Sequence, residues 1–84
     1  MLSFNAIALL YLLGQVDLGI ALAMQGRLDE AYGAGIVALD SPRQADSLRS
    51  RMDTLDRLLT ARYPDATETR EFHERYLVAV NSAA

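Results

Sequence analysis

The side chains that could carry out acid–base or metal chemistry are few and lie far apart in the sequence. The chain has one histidine, His73, and no cysteine. His73 lies between Glu71 and Glu74, and on a helix the side chains of His73 and Glu74 point in different directions, so they form no pair of metal ligands. One histidine gives no basis for a serine–histidine–aspartate arrangement. We therefore predict that His73 is a solvated surface residue.

Asp53 and Asp56 are the other candidates, because carboxylates three residues apart on a helix can bridge a metal ion. Arg49 and Arg57 flank them in the sequence, so a solvated face of ion pairs is the simpler interpretation. The sequence contains no glycine-rich phosphate-binding loop. We therefore predict a protein that is not an enzyme, with no catalytic residues, no metal site and no cofactor.

The composition is typical of one small, slightly acidic domain formed by residues 1–84. The chain has 84 residues and a net charge of −3, and its eight basic residues are all arginine. Because an acidic chain is a poor binder of nucleic acid, we expect no direct contact with nucleic acid. A chain of this length buries only about 60–65% of its unfolded surface, so its stability should be marginal unless it associates.

Residues 6–24 form a nearly uncharged run in which Asp17 is the only ionised residue. A run of this length could span a bilayer. Asn5, Gln15 and Asp17 interrupt it, however, and it lacks the preceding positive charge that a secretory signal peptide requires. We therefore interpret it as a helix that packs against neighbours on more than one face, in a cytoplasmic protein. A small membrane-associated helical protein is the alternative.

Turn and capping residues divide the chain into about four helices with no strand, which predicts an all-α fold. Gly26 ends the first helix, as glycine commonly does by adopting the left-handed conformation. Ser41, Pro42 and Gln44 form a capping box that opens the third helix, and Pro64 ends that helix. Because the loops are short, successive helices should pack as antiparallel hairpins. The predicted helices cover residues 3–25, 28–39, 42–63 and 66–80.

Regularly spaced apolar residues predict the buried faces of the third and fourth helices, which together form a C-terminal cap over residues 42–80. The third helix has fewer than three heptads, which is short for a coiled-coil seam, so we interpret its stripe as packing within the domain. The predicted stripes are Ala45, Leu48, Met52, Leu55 and Leu59, widened by Leu58, in the third helix, and Phe72, Tyr76 and Val80, with Leu77 beside them, in the fourth.

The first two helices contain small residues at helical spacing in the segment "LGIALAMQGRLDEAYGAGIVALDSP". This segment resembles a tetratricopeptide repeat, a 34-residue helix–turn–helix unit in which small residues let two helices approach closely. The resemblance covers residues 15–42 and implies TPR-like hairpins. The residues that match the repeat pattern, and to which it assigns packing roles, are Leu18, Gly19, Leu22, Gly26, Ala31, Ala38 and Pro42.

Two positions depart from the repeat pattern. Gly35 stands where the family usually has a large aromatic residue, and Gln15 stands where it usually has tryptophan. These departures leave the repeat under-packed by its own side chains. We expect Leu10, Tyr11 and Leu13 to fill the space.

The second half of the chain is similar to the end of the repeat region in actinobacterial transcription regulators that carry an Xre-type helix-turn-helix domain. The segments "ALDSPR", "LDRLLTARYPD" and "REFHERY" carry this resemblance. It implies a module for protein–protein interaction or oligomerisation in transcription regulation. No DNA-binding domain precedes the repeat, so we expect a fragment of a longer regulator or a small free-standing relative. A peptide-sensing domain of a quorum-type regulator is the alternative.

The resemblance also implies where a protein or peptide partner binds, because the first helix of each repeat lines the groove in this family. Packing in the core is the simpler interpretation for the corresponding residues here, which are all apolar. Since two further helices can cover only one side of the first pair, we also predict a homo-oligomer, most simply a two-fold dimer. The predicted groove residues are Leu13, Val16, Ile20, Ala23 and Met24. The predicted interface residues are Leu9, Leu10, Leu13, Val16 and Ile20.

The substitution Ala31→Leu tests the close approach of the first two helices. We expect it to lower the free energy of unfolding by about 1–3 kcal/mol, because the larger side chain would overpack the contact. Chemical denaturation measures the change. An unchanged denaturation midpoint would show that Ala31 does not lie at such a contact.

Overall fold

The computed structural model describes residues 4–41 and 46–82, which form four helices. These two segments contain no strand, so the all-α prediction is confirmed. The predicted helix ends lie within two residues of the observed ends wherever the chain is described. Pro42, Gln44 and Ala45, which belong to the predicted capping box and stripe, lie outside the described residues. The helices are α1 (Phe4–Met24), α2 (Leu28–Leu39), α3 (Asp46–Arg62) and α4 (Thr67–Ser82).

Gly26 ends α1 as predicted. Its φ angle is +82°, in the left-handed region that favours glycine. The backbone N–H of Arg27 donates a 2.9 Å hydrogen bond to the carbonyl of Leu22, which satisfies one of the last carbonyls of α1. The Arg27 side chain pairs with Glu30 at 2.6 Å in the first turn of α2. The chain therefore reverses over a few residues, and α2 runs back along α1.

The helices form two antiparallel hairpins, α1–α2 and α3–α4, that stack side by side. Helix α1 lies beside α3 and α2 lies beside α4, whereas α1 and α4 have no contact among the described residues. Asp17 pairs with Arg51, and Ala23 further along α1 accepts a hydrogen bond from Tyr63, so α1 and α3 are parallel. The result is a two-layer arrangement in which α1 and α3 form one layer.

The core lies between the two hairpins and is built largely on α3. Leu48, Met52, Leu55 and Leu59 have no exposed surface, which confirms the stripe predicted for these positions. Phe72 of α4 is also fully buried, while Tyr76 and Val80 are half-buried. The other fully buried hydrophobic residues of the described segments are Val16, Ala23, Ala31 and Ala38.

Gly19 lets α1 and α2 lie close together. A Cβ atom at this position would lie 3.2 Å from the carbonyl oxygen of Ala31 and 3.1 Å from Cδ2 of Leu55. The first of these atoms belongs to the backbone of α2, which could give way only by moving the helix. A larger residue at position 19 would therefore separate the two helices of the first hairpin.

Gly35 accommodates the aromatic ring that α4 inserts against α2. A Cβ atom at Gly35 would lie 2.6 Å from Cε2 of Phe72 and 2.8 Å from Cδ2 of Leu55. The space left by the absent side chain is therefore filled from the second hairpin. This contact fixes how closely the two hairpins stack.

The expectation that α1 fills the space beside Gly35 is wrong. Leu10 and Tyr11 are exposed, and Leu13 is only half-buried. The aromatic ring missing from the first hairpin is supplied by Phe72, which lies 37 positions later in the sequence. The outer side of α1 is consequently left without a neighbour.

A pair of glycine substitutions in α2 tests this contact. Gly35→Ala should lower the free energy of unfolding by about 1–3 kcal/mol, because the added methyl group would overlap the Phe72 ring. Gly33→Ala is the matched control, since a Cβ atom there has nothing within 4 Å. The control should raise stability by up to about 1 kcal/mol through helix propensity. Equal shifts of the two denaturation midpoints would contradict the close packing at Gly35.

Candidate interaction surface

Helix α1 presents a continuous apolar surface on the side that faces away from α2 and α3. We call this surface the α1 outer face. Its large side chains are about half exposed, and a glycine and an alanine lie among them. The face comprises Ile7 (54% exposed), Leu10 (56%), Tyr11 (59%), Gly14, Leu18 (48%) and Ala21.

The two sides of α1 are equally apolar but differ in what covers them. Residues of the outer face recur every three or four positions from Ile7 to Ala21, which places them on one side of a helix. Val16, Gly19 and Ala23 lie on the opposite side and are buried against the other helices. Contiguous exposed apolar patches of a few hundred Å² mark interaction sites in soluble proteins. The α1 outer face is therefore the candidate functional site.

Charged and polar contacts border the outer face where α1 meets α3. Asp17 and Arg51 form an ion pair between the two helices, and both side chains are about half exposed. The hydrogen bond from Arg51 to Asp17, with the negative charge of Asp17, raises the pKa of Arg51 above its ordinary value. Nearer the end of α1, Arg62 donates a 2.9 Å hydrogen bond to the carbonyl of Met24. These contacts fasten α1 to α3 and limit the apolar surface on that side.

The predicted groove residues do not form one exposed surface. Val16 and Ala23 have no exposed surface, so their assignment to a groove is wrong and the simpler core interpretation holds for them. Leu13 and Ile20 are half-buried and pack against the core. Met24 alone of the five is well exposed. Close packing of α1 on α2 and α3 covers the side on which the groove was expected.

Among the predicted interface residues, only Leu10 lies on the α1 outer face. Val16 belongs to the core, which makes its assignment to an interface wrong in this fold. Leu9, Leu13 and Ile20 are half-buried against the core. The sequence shows that α1 is apolar on several sides, but it does not show which of those sides α2 and α3 cover.

Ile7, Tyr11 and Leu18 are the large residues of the outer face that sequence reasoning missed. The repeat resemblance assigns Leu18 to packing within the hairpin, whereas the structure leaves it about half exposed. The sequence does contain a pattern that could have identified this face. Its residues recur at alternating steps of four and three from Ile7 to Ala21, which is the pattern of a helix that pairs with another helix.

Polar side chains of α3 and α4 pair with each other and hold the two helices together. Nδ1 of His73 lies 2.9 Å from Oδ2 of Asp56, which is only 6% exposed. The expectation of a solvated face is therefore wrong for Asp56, and the half-exposed His73 is tied to it. Asp53 pairs with Arg57 at 3.0 Å as expected and also accepts a 3.1 Å hydrogen bond from Tyr76. Burial, followed by this hydrogen bond, raises the pKa of Tyr76 above its ordinary value.

A depression lies between the ends of α2 and α4. It is a groove of about 410 Å³ lined by residues that include Leu39, Asp40, Arg75 and Val78. Asp40 and Arg75 form an ion pair at 3.4 Å, so charged groups occupy part of its wall. The described residues contain no group of three or more His, Cys, Asp or Glu side chains that could hold a metal ion. Four of the exposed large hydrophobic residues of the described segments, Ile7, Leu10, Tyr11 and Leu18, lie on the α1 outer face.

Helix α1 also has the length and composition of a membrane span. The segment Ala6–Met24 comprises 19 residues, and 22% of the most apolar stretch is buried within the fold. The buried helix of a soluble protein can have the same length and composition. The α1 outer face could therefore meet either protein or lipid.

Comparison with models of known protein families, with curated proteins and with solved structures finds no match to this chain. The functional interpretation therefore depends on the geometry and chemistry of the helices described above.

Removal of the His73 side chain tests the pair between α3 and α4. We expect His73→Ala to lower the free energy of unfolding by about 1 kcal/mol, because it leaves the buried Asp56 carboxylate without this hydrogen bond. Glu74→Ala, at the neighbouring exposed position, is the control and should change stability by less than about 0.5 kcal/mol. Urea denaturation measures both, and equal effects would contradict a specific His73–Asp56 contact.

Proposed function

We propose that this chain is a module for protein–protein interaction and that the α1 outer face binds the partner. The observation that carries the proposal is the row of half-exposed large apolar side chains along α1. Soluble domains seldom leave such a row in contact with water, and a contiguous apolar patch on an otherwise polar surface is typical of a binding site. A helix laid along this row would cover it by packing at the same three- and four-residue spacing.

The arrangement of the hairpins supports a role of the kind that helical repeats perform. In such proteins each hairpin packs on its neighbours, and the free side of a terminal hairpin accepts a further hairpin or a partner. Here α1 offers an apolar free side, whereas the outer side of α3 carries the exposed polar residues Ser50, Thr54 and Arg57. We propose on this basis, and on the resemblance to the repeat region of Xre-type regulators, that the module acts in transcription regulation through protein contacts.

A membrane-associated function is the second candidate, because α1 is long and apolar enough to cross a bilayer. Insertion of α1 would remove Val16 and Ala23 from the core, where both are fully buried. It would also carry Asp17 into hydrocarbon and break its pair with Arg51. The costs of inserting α1 into a membrane favour protein as the occupant of the outer face.

The peptide-sensing alternative is weakened because Val16 and Ala23, which are buried, belong to the predicted peptide groove.

Site-specific photo-crosslinking in cells tests the proposed function. Benzoylphenylalanine in place of Tyr11, on the outer face, should form a discrete adduct with protein. The same probe in place of Leu77, an exposed apolar residue of α4, is the matched control and should not form that adduct. Introduction of Leu18→Glu should abolish the Tyr11 adduct, because a charge on the face cannot be buried without a partner.

The competing outcomes are equally specific. Adducts from the Tyr11 position to lipid alone, or flotation of the purified chain with phosphatidylcholine vesicles, would contradict the proposal and favour the membrane alternative. The same adduct from both probe positions would show that the outer face has no special role. Circular dichroism of the Leu18→Glu variant establishes that the helices are retained.

A further inference from the structure

We infer, on the basis of the proposed function, that the partner on the α1 outer face is α1 of a second copy of this chain. The two helices run antiparallel and cross at Gly14, so that a two-fold axis passes beside this residue. Two independent features of α1 lead to this arrangement: the position of its exposed glycine, and the order of large and small residues along the face.

Gly14 lies at the midpoint of α1, which extends over Phe4–Met24. It is exposed, and a Cβ atom built on it would have nothing within 4 Å. Packing within the chain therefore does not require glycine here, although glycine weakens a helix by about 1 kcal/mol relative to alanine. A second helix that crosses at this point could approach the backbone closely. A crossing at the midpoint also allows the two helices to overlap along their whole length.

The outer face is complementary to itself only in the antiparallel orientation. A two-fold axis at Gly14 places Ile7 opposite Ala21 of the second copy, and Leu10 opposite Leu18. Ile7 then meets the small Ala21 at both ends of the pair, and Leu10 meets Leu18 nearer the crossing, which is the self-complementarity that a two-fold interface requires. In a parallel pair, Ile7 would face Ile7, and Ala21 would face Ala21. That order would crowd one end of the pair and leave the other end under-packed.

The size of the outer face predicts a weak dimer. The four large side chains of the outer face and the adjacent Met24 are each about half exposed. Together they expose on the order of 500 Å² of apolar surface per copy. Stable complexes bury about 800 Å² per partner, so this contact lies at the small end of specific interfaces. We expect a dissociation constant in the micromolar range.

Cysteine substitutions test the crossing point, because the chain has no cysteine of its own. Gly14→Cys should form a disulfide-linked dimer on mild oxidation, since the two Cβ atoms meet at the two-fold axis. Gly33→Cys is the matched control: it also replaces an exposed helical glycine with open space around it. We expect the Gly14→Cys variant to cross-link at least tenfold faster than the control at equal concentration. Equal rates would overturn the crossing at Gly14.

A mixture of two further variants tests the orientation. When Ile7→Cys and Ala21→Cys chains are oxidised together, the antiparallel arrangement predicts that the mixed dimer exceeds both homodimers. Predominance of the two homodimers would show a parallel pair and overturn the inference. Absence of any cross-link above the control would overturn self-association itself. In that case an adduct from the Tyr11 position to a different protein would still support the proposed function, so the two failures are distinguishable.

Discussion

The rest of the structure depends on one constraint, which is that α1 is apolar around most of its circumference and has neighbours on only one side. Helices α2 and α3 cover Val16, Gly19 and Ala23, and they leave the outer face in contact with water. The chain has no fifth helix in its described segments, and α4 packs on α2 and α3 instead. The apolar residues whose burial folds the first hairpin are therefore accompanied, on the same helix, by apolar residues that the described helices leave exposed.

Two glycines set how closely the helices pack around the core. Gly19 brings α2 close to α1, and Gly35 receives the ring of Phe72 from α4. Leu55 contacts the space above both glycines, so a single α3 side chain lies where the two hairpins meet. Because this centre is packed by residues of all four described helices, the second hairpin stabilises the first. The position of the second hairpin beside α1 and α2 also determines that the outer face of α1 is the side left uncovered.

Features set by local chemistry were predictable from the sequence, and those set by long-range packing were not. Gly26 ends α1, and the spacing of Leu48, Met52 and Leu55 identifies the buried face of α3, because turns and periodicity are local properties. The sequence did not predict which aromatic ring packs against Gly35, because Phe72 belongs to the other hairpin. Burial of Asp56 beside His73 likewise depends on the register of α3 against α4. The exposed side of α1 was ambiguous because its residues are apolar in every direction.

Sedimentation equilibrium of the unmodified chain in detergent-free buffer tests most directly whether the outer face is covered by protein. If a second copy covers it, the apparent mass should rise from the monomer mass of 9.2 kDa toward twice that value as the concentration increases through the micromolar range. The isotherm should fit a monomer–dimer equilibrium and should not continue to larger species, because a two-fold contact closes on itself. A mass of 9.2 kDa at every concentration would contradict self-association through α1.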